Sequence, residues 1–376
     1  MSVNDRRAGG RGGAAGSVVV LGATGFVGRH VCEVFDAAGW TVTGVARSAP
    51  TRPPSTPYDV LPVDVVSAAP DRIAALLAER GAGVVVNAAG AVWQASDDDM
   101  ARANTDLVER LVAATAPLAA RPRVIQLGSV HEYGPVPRTG ITESTPTAPV
   151  TPYGRSKLAG ARALLDAAAA GRAEGLVLRV SNVSGPGTHR ASLLGMVAHH
   201  LATSAPEPLR LAPLLAHRDF VDVRDVADAA LAAARSQVSG EVFNIGGGQA
   251  TSVRSLVVRL TELAGAAAEI VETPSAGGRP PEAEWQRMDI GRARRLLGWS
   301  PRRSLDDSLR DLLAHARAAI VADARADADR AWADVGAGGG ADAQAGALPA
   351  RVGTDREPLS SALQVVPTTM AVSDHR

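Results

Sequence analysis

Tyr153 and Lys157 stand four residues apart in the stretch YGRSK. On a helix that spacing puts both side chains on one face, one turn apart. An ammonium beside a phenol favours the phenolate and lowers the tyrosine pKa toward neutrality. Tyr153 then becomes a usable general acid or base for a carbonyl or an alcohol. Ser129 closes the apolar run RVIQLGS ahead of that helix and is placed to hold the same oxygen. Taken singly, each of the three is as readily a surface or capping residue. As a set behind a glycine turn they point much more specifically to proton transfer at a carbonyl or alcohol oxygen.

A second stretch supplies the partner for that chemistry. GATGFVG (22–28) lies between an apolar run and an amphipathic one. Gly22 allows a tight turn, Gly25 lets the backbone approach a pyrophosphate, and Gly28 lets the helix pack on the strand. Phe26 and Val27 belong to the same turn, so Gly22, Gly25, Phe26, Val27 and Gly28 form the candidate dinucleotide cradle. Lys157 is then also expected to hydrogen-bond the nicotinamide ribose. Asp64, with Val65 beside it, either accepts a hydrogen bond from an adenine amino group or is a solvated turn residue. The small residues Ala88, Ala89 and Gly90 of NAAG either leave room for ribose and phosphates or only make a turn. Arg47 ends the second apolar strand, where a binder of NAD is expected to carry an acid for the ribose hydroxyls. Asp36 is the only acidic residue between Phe35 and Asp59, and it falls on the preceding helix. The Arg47 guanidinium therefore points to the 2′-phosphate of NADP, with exposure to solvent as the plain alternative. NADP(H) is favoured over NAD(H) on this residue.

These residues need a scaffold that alternates strands and helices. Strands are read at 17–21, 40–46, 59–65, 83–90 with its loop, 123–129 and 176–182. Helices are read at 25–39, 71–81, 97–116 and 151–170. Near-continuous apolar strands alternating with helices give an α/β fold, a doubly wound parallel sheet of Rossmann type with the ligand at the carboxyl ends of the strands. The expected division is a tail at 1–16, a nucleotide-binding domain at 17–181, and a smaller discontinuous substrate lobe at 182–321. That third stretch includes the returning strand VFNIGGG. A flexible tail is expected from 322 to 376, where the periodicity is lost.

Composition narrows the classes. The chain has 376 residues with 39 basic and 39 acidic side chains, so no field draws it to nucleic acid or to an acidic membrane. No apolar run is long enough to span a bilayer and the N-terminus lacks an apolar signal core, so a soluble cytoplasmic protein is expected. The single cysteine, Cys32, excludes an internal disulfide and is read as a buried small hydrophobe. His199 and His200 are adjacent and face different sides of a helix, so no metal site is expected.

The motifs GATGFVG, NAAG, LGSVHEYG, TPYGRSK, LRVSNVSGP, RDFVDVRDVADAA, VFNIGGG and LGWSPRRSLDDSLRDLL together resemble the extended short-chain dehydrogenase/reductases. Within them they resemble the NAD-dependent epimerase/dehydratase family of nucleotide-sugar enzymes, from about Val18 to about Ala319. That resemblance implies catalytic roles for Ser129, Tyr153 and Lys157. It implies contact of Asn182 with a sugar nucleotide, and Arg218 and Arg279 on its diphosphate. It also implies a homodimer through the helices at 97–116 and 151–170. Family dehydratases carry an Asp-Glu pair directly after the position of Ser129. Here Val130 and His131 stand there, which argues against 4,6-dehydration. His131 is a substrate contact, a second proton donor or a packed loop histidine. Trp93 either stacks on a sugar or base or caps the core.

Three functions are weighed. The first is an NADPH-dependent reductase of a nucleotide-activated keto sugar, with a dTDP-4-keto-6-deoxyhexose as the substrate class by family analogy. The second is a nucleotide-sugar epimerase that recycles tightly held NAD. The third is a nucleotide-sensing module, which the intact Tyr, Lys and Ser set disfavours because a sensor needs no proton donor.

Overall fold

The computed structural model describes residues 16–48, 57–92, 95–203, 208–265, 269–273 and 284–337. The first half runs β1 (Ser17–Leu21), α1 (Phe26–Ala37), β2 (Thr41–Ala46), β3 (Asp59–Pro62), α2 (Pro70–Glu79) and β4 (Val84–Asn87). It continues through α3 (Asp97–Ala101), α4 (Leu107–Thr115), β5 (Arg123–Ser129), α5 (Pro152–Ala169) and β6 (Glu174–Val180). Among the described residues seven strands form one sheet in the order β11-β6-β5-β4-β1-β2-β3, with β11 (Val242–Ile245) returning from the second half. Every neighbouring pair in it is parallel.

The strands are apolar end to end because both faces are covered. Val18, Val20, Ile125, Leu176 and Phe243 pack toward α1 and toward α7 (Val223–Arg235). Val19, Leu21, Val85, Val124 and Val177 pack toward α2, α4 and α5. The chain leaves β1 toward β2 on one side and places β4 on the other, so a crevice opens at the carboxyl ends of β1 and β4. A doubly wound sheet binds its ligand at such a reversal.

The remaining elements are β7 (Asn182–Ser184), α6 (Leu193–Thr203), β8 (Leu209–Leu211), β9 (His217–Arg218), β10 (Phe220–Asp222), β12 (Thr251–Ser252), α8 (Val253–Ala264), β13 (Ile270–Glu272), α9 (Gly291–Leu297) and α10 (Leu305–Ala337). Helices α6, α8 and α10 share a separate apolar core around Val197, Leu201, Leu256, Leu260, Leu309 and Leu313. Two buried aspartates tie loops to this half. Asp219 accepts the backbone N–H groups of Gly247, Gly248 and Met288. Asp225 accepts those of Arg302 and Arg303, and its carbonyl accepts Trp299 Nε1.

Three local readings change. β3 ends at Pro62 rather than at residue 65, because Asp64 turns the chain with its own carboxylate. The helix expected at 97–116 is broken by a π turn at Arg102–Asp106. Helix α10 continues through 322–337, where a tail was expected. Alanine alternating with Asp and Arg carries no apolar stripe, yet it propagates a helix already started.

Candidate active site

The glycine turn has the shape of an anion cradle. Gly22 has φ +78°, and a Cβ there would lie 2.8 Å from the backbone nitrogen of Ala89. A Cβ on Gly28 would run into the Gly22 carbonyl, so helix α1 can sit this close to β1 only with glycine. Helix α1 follows Gly25 as its N-cap, with no side-chain cap and no acid in its first turn. The N–H groups at Phe26, Val27 and Gly28 thus lack the side-chain acceptor that helices commonly provide, and a pyrophosphate fits there. The turn is fixed to β2 through the N–H groups of Gly22 and Ala23, which donate to the Val45 carbonyl at 2.9 and 3.1 Å. Arg47 follows two residues later, exposed, with no hydrogen bond or ion pair among the described residues. Its guanidinium is available to an anion. Asp64 is exposed, and its carboxylate accepts Val66 N–H at 3.1 Å and Ser67 Oγ at 2.9 Å. Val65 behind it is buried.

Helix α5 starts at Pro152, capped by Thr151 Oγ1 accepting from Gly154 N–H at 3.1 Å. Proline in the first turn and this cap set Tyr153 at the mouth of the crevice and Lys157 one turn deeper. Lys157 is 7 % exposed, and its Nζ donates to the Leu127 carbonyl at 2.9 Å. A Cβ on Gly90 would lie 3.4 Å from that Nζ, so the NAAG turn and the lysine meet directly. Ala88 is held by its N–H to the Leu21 carbonyl at 3.0 Å, and Ala89 by its N–H to Asn87 Oδ1 at 3.2 Å. Ser129 ends β5, is buried, and hydrogen-bonds Tyr153.

Electrostatics correct one expectation. Burial pushes the Tyr153 phenol up to about 12, with the Ser129 hydrogen bond opposing and the Glu132 charge adding to the rise. Burial takes Lys157 down to about 8, with Glu132 opposing. Lys157 therefore does not draw the phenol toward neutrality here. Its ammonium is aimed at the Leu127 carbonyl, and loss of water outweighs the neighbouring charges.

Beyond Ser129 the site turns polar. The His131 ring meets the Tyr153 ring edge-on, with centroids 5.8 Å apart. Its pKa is lowered by burial, raised by Glu284 and lowered by Arg218. His131 is thus packed against the phenol and faces that ion pair. Arg218 is held by Glu284, with Nε donating at 3.0 Å. Asn182 Nδ2 donates to the Asp219 carbonyl at 2.9 Å and to Gln286 Oε1 at 3.0 Å, which ties down its amide nitrogen. Trp93 and Arg279 lie outside the described residues. Among the described residues no group of three or more His, Cys, Asp or Glu side chains is arranged to hold a metal, and no helix is long and apolar enough to cross a membrane.

Two residues escaped the reading of the sequence. Asn104, on the π turn and 1 % exposed, accepts Ala91 N–H at 3.1 Å and donates to the Ala91 carbonyl at 2.9 Å and to Ser156 Oγ at 3.1 Å. It fastens the segment after NAAG to α5. The signal was a short polar residue inside an otherwise apolar helical stripe, and π turns gather at functional sites. Glu132 is fully buried behind Ser129. A stronger signal was also present: Lys157 is the only lysine among 39 basic side chains. Arginine serves everywhere else, and a tunable ammonium is what guanidinium cannot provide.

The chain matches the sequence profile of the NAD dependent epimerase/dehydratase family over residues 18–246. It is 43 % identical over 304 residues to the dTDP-6-deoxy-L-talose 4-dehydrogenase (NAD(P)(+)) of Kitasatospora kifunensis, covering 80 % of this chain and 95 % of that one. Among solved structures it resembles a putative epimerase from Burkholderia cenocepacia J2315, at 30 % identity and a TM-score of 0.72, over 81 % of this chain and all of that one. It also resembles RMD from Pseudomonas aeruginosa complexed with NADPH, at 25 % identity and a TM-score of 0.67, over 80 % and 99 % of the two chains.

Proposed function

This chain belongs to the NAD dependent epimerase/dehydratase family, and from that premise we propose that it reduces the 4-keto group of a nucleotide-activated 6-deoxyhexose. A dTDP-4-keto-6-deoxyhexose is the substrate class, and NADPH is preferred to NADH. The meeting of Ser129, Tyr153 and Lys157 beside the Gly22–Gly28 turn and Gly90 carries the reading. The 43 % identical relative, named as a 4-dehydrogenase of a dTDP-6-deoxy sugar, supports it. A 4-dehydrogenase run backward is a 4-ketoreductase.

The backbone N–H groups at Phe26, Val27 and Gly28 would hold the dinucleotide's pyrophosphate, Arg47 its 2′-phosphate and Lys157 its nicotinamide ribose. When bound, the reduced nicotinamide supplies a hydride to the carbonyl carbon. Tyr153 Oη gives its proton to the carbonyl oxygen, and Ser129 Oγ donates a second hydrogen bond to it. With its pKa held near 12, Tyr153 stays a phenol through the neutral range, which is the form an acid must start from. Lys157, near 8, exchanges its own proton close to neutral pH. Arg218, held by Glu284 in this structure, would turn to the substrate's diphosphate, whose oxygens match a guanidinium. Val130 and His131 leave no carboxyl pair for dehydration.

Likeness to a putative epimerase supports a second reading, in which held NAD is reduced and reoxidised on one sugar carbon. One experiment separates the two. The purified protein is mixed with a dTDP-4-keto-6-deoxyhexose, and nicotinamide absorbance is followed with NADPH and NADH in turn. Stoichiometric NADPH consumption is expected. A sugar isomer formed with no net consumption would establish the epimerase instead. The chain is also proposed to act as a homodimer through α3, α4 and α5; light scattering showing only monomer would remove that.

A further inference from the structure

Glu132 has no part in the reaction as written, yet it is 0 % exposed. A carboxylate tolerates such burial only with partners. Its Oε1 accepts the Ser129 backbone N–H at 2.7 Å, and its Oε2 accepts Arg179 Nε at 2.6 Å. Ser129 Oγ in turn accepts the His131 N–H at 3.3 Å, so Ser129 and Glu132 close the short turn between them from both ends. Gly128 gives the carboxylate its room, because a Cβ there would strike Oε1. Arg179 is fixed as well. Its guanidinium lies 4.6 Å from the centre of the Tyr133 ring, and the Tyr133 hydroxyl donates to Asn244 Oδ1 at 2.7 Å. The next carboxylate, Glu143, accepts the Asn244 backbone N–H at 2.9 Å. A buried ion pair is a costly way to fill a core, since apolar side chains of the same volume often serve stability as well or better. Its placement directly behind Ser129 suggests another use.

We propose that Glu132 is the positioning residue of this site: anchored by Arg179, it fixes the backbone of Ser129 and sets a buried negative charge behind Tyr153 and Lys157. The proposal rests on the catalytic reading of those three residues. The charge favours the ammonium of Lys157 and opposes the phenolate of Tyr153. Both effects keep the pair in its proton-carrying form, from which reduction of a ketone begins.

The sole lysine makes a direct test possible, because labelling the protein with ¹³C-lysine gives a single side-chain resonance. Glu132→Gln keeps the shape and removes the charge. Glu132→Gln with Arg179→Gln removes both charges, so a variant without a lone buried cation is available if the single one unfolds. In either folded variant the Lys157 resonance is expected to titrate at lower pH than in the wild type. The alkaline limb of kcat should move the same way, with kcat down roughly tenfold to a hundredfold, the cost of a misplaced reacting group, and KM for NADPH little changed. A Lys157 midpoint unmoved in both variants would overturn the proposal, as would an unshifted limb with wild-type kcat. The titration needs no substrate. A wild type that turns over no keto sugar sinks the reductase reading, while the titration still decides the charge of Glu132.

Discussion

Tyr153 is half-buried and Lys157 buried, and loss of water acts on them in opposite directions. The lysine makes the sharper test. Its native value near 8 lies below the 10.5 of a free lysine, so the unfolded chain holds the proton more strongly. Between those two values the unfolded state binds more protons, and stability attributable to this residue rises with pH. Comparison of the wild type with Lys157→Met by urea denaturation is expected to show the wild type relatively weaker at pH 7 and recovering by pH 9.5. A difference that is flat with pH would mean that the ammonium is not buried in solution. Arg47 is tested by cofactor choice. Arg47→Ala should raise KM for NADPH roughly tenfold to a hundredfold, the worth of one charge-assisted pairing, and leave KM for NADH within about twofold. Equal effects on both cofactors would remove the phosphate role. Asp64 closes its own turn by accepting the Val66 N–H and the Ser67 hydroxyl, and an exposed carboxylate that does so can still meet an adenine amino group. Spacing could not separate a turn from a ligand there, because both need an aspartate at a strand end.

At the scale of elements, the site depends on loops held by buried carboxylates rather than by apolar packing. Asp219 is 0 % exposed and accepts three backbone N–H groups from two separate segments. Asp219→Asn would turn an amide N–H toward at least one of those donors. A loss of about 1–3 kcal/mol is expected by denaturant titration, the cost of leaving a buried donor unsatisfied. Unchanged stability would show that the segments hold themselves. The strands, the glycine turn and helix α5 were legible in the sequence, because apolar runs, Gly22–Gly28 and the Thr151-Pro152 start are local signals. The π turn was not. Its cause is tertiary: Asn104 must reach Ala91 and Ser156 across the gap to α5.

At the scale of the molecule, two apolar layers enclose the sheet and a third core lies under α6, α8 and α10. Helix α10 contributes Leu309, Leu312 and Leu313 to that core, whereas residues 321–328 are exposed. Ending the chain at Ala324 is therefore expected to leave the melting temperature within about 2 °C, in keeping with the small effect of changes to exposed surface. A large fall would show that the distal helix or the residues beyond it pack on the body.

The sequence by itself determined the alternation of strands and helices, the glycine turn, the Tyr-x-x-x-Lys helix and the family. These rest on periodicity and on residues whose conformational or chemical properties act within a few positions of the chain. Tertiary structure alone decided which groups share a site. It set His131 against Tyr153, paired Arg218 with Glu284, aimed Lys157 at the Leu127 carbonyl and buried Glu132 on Arg179. It also decided the direction of the Tyr153 and Lys157 shifts. Those contacts join residues tens of positions apart, and the loss of water that shifts the charges exists only once the layers close around them.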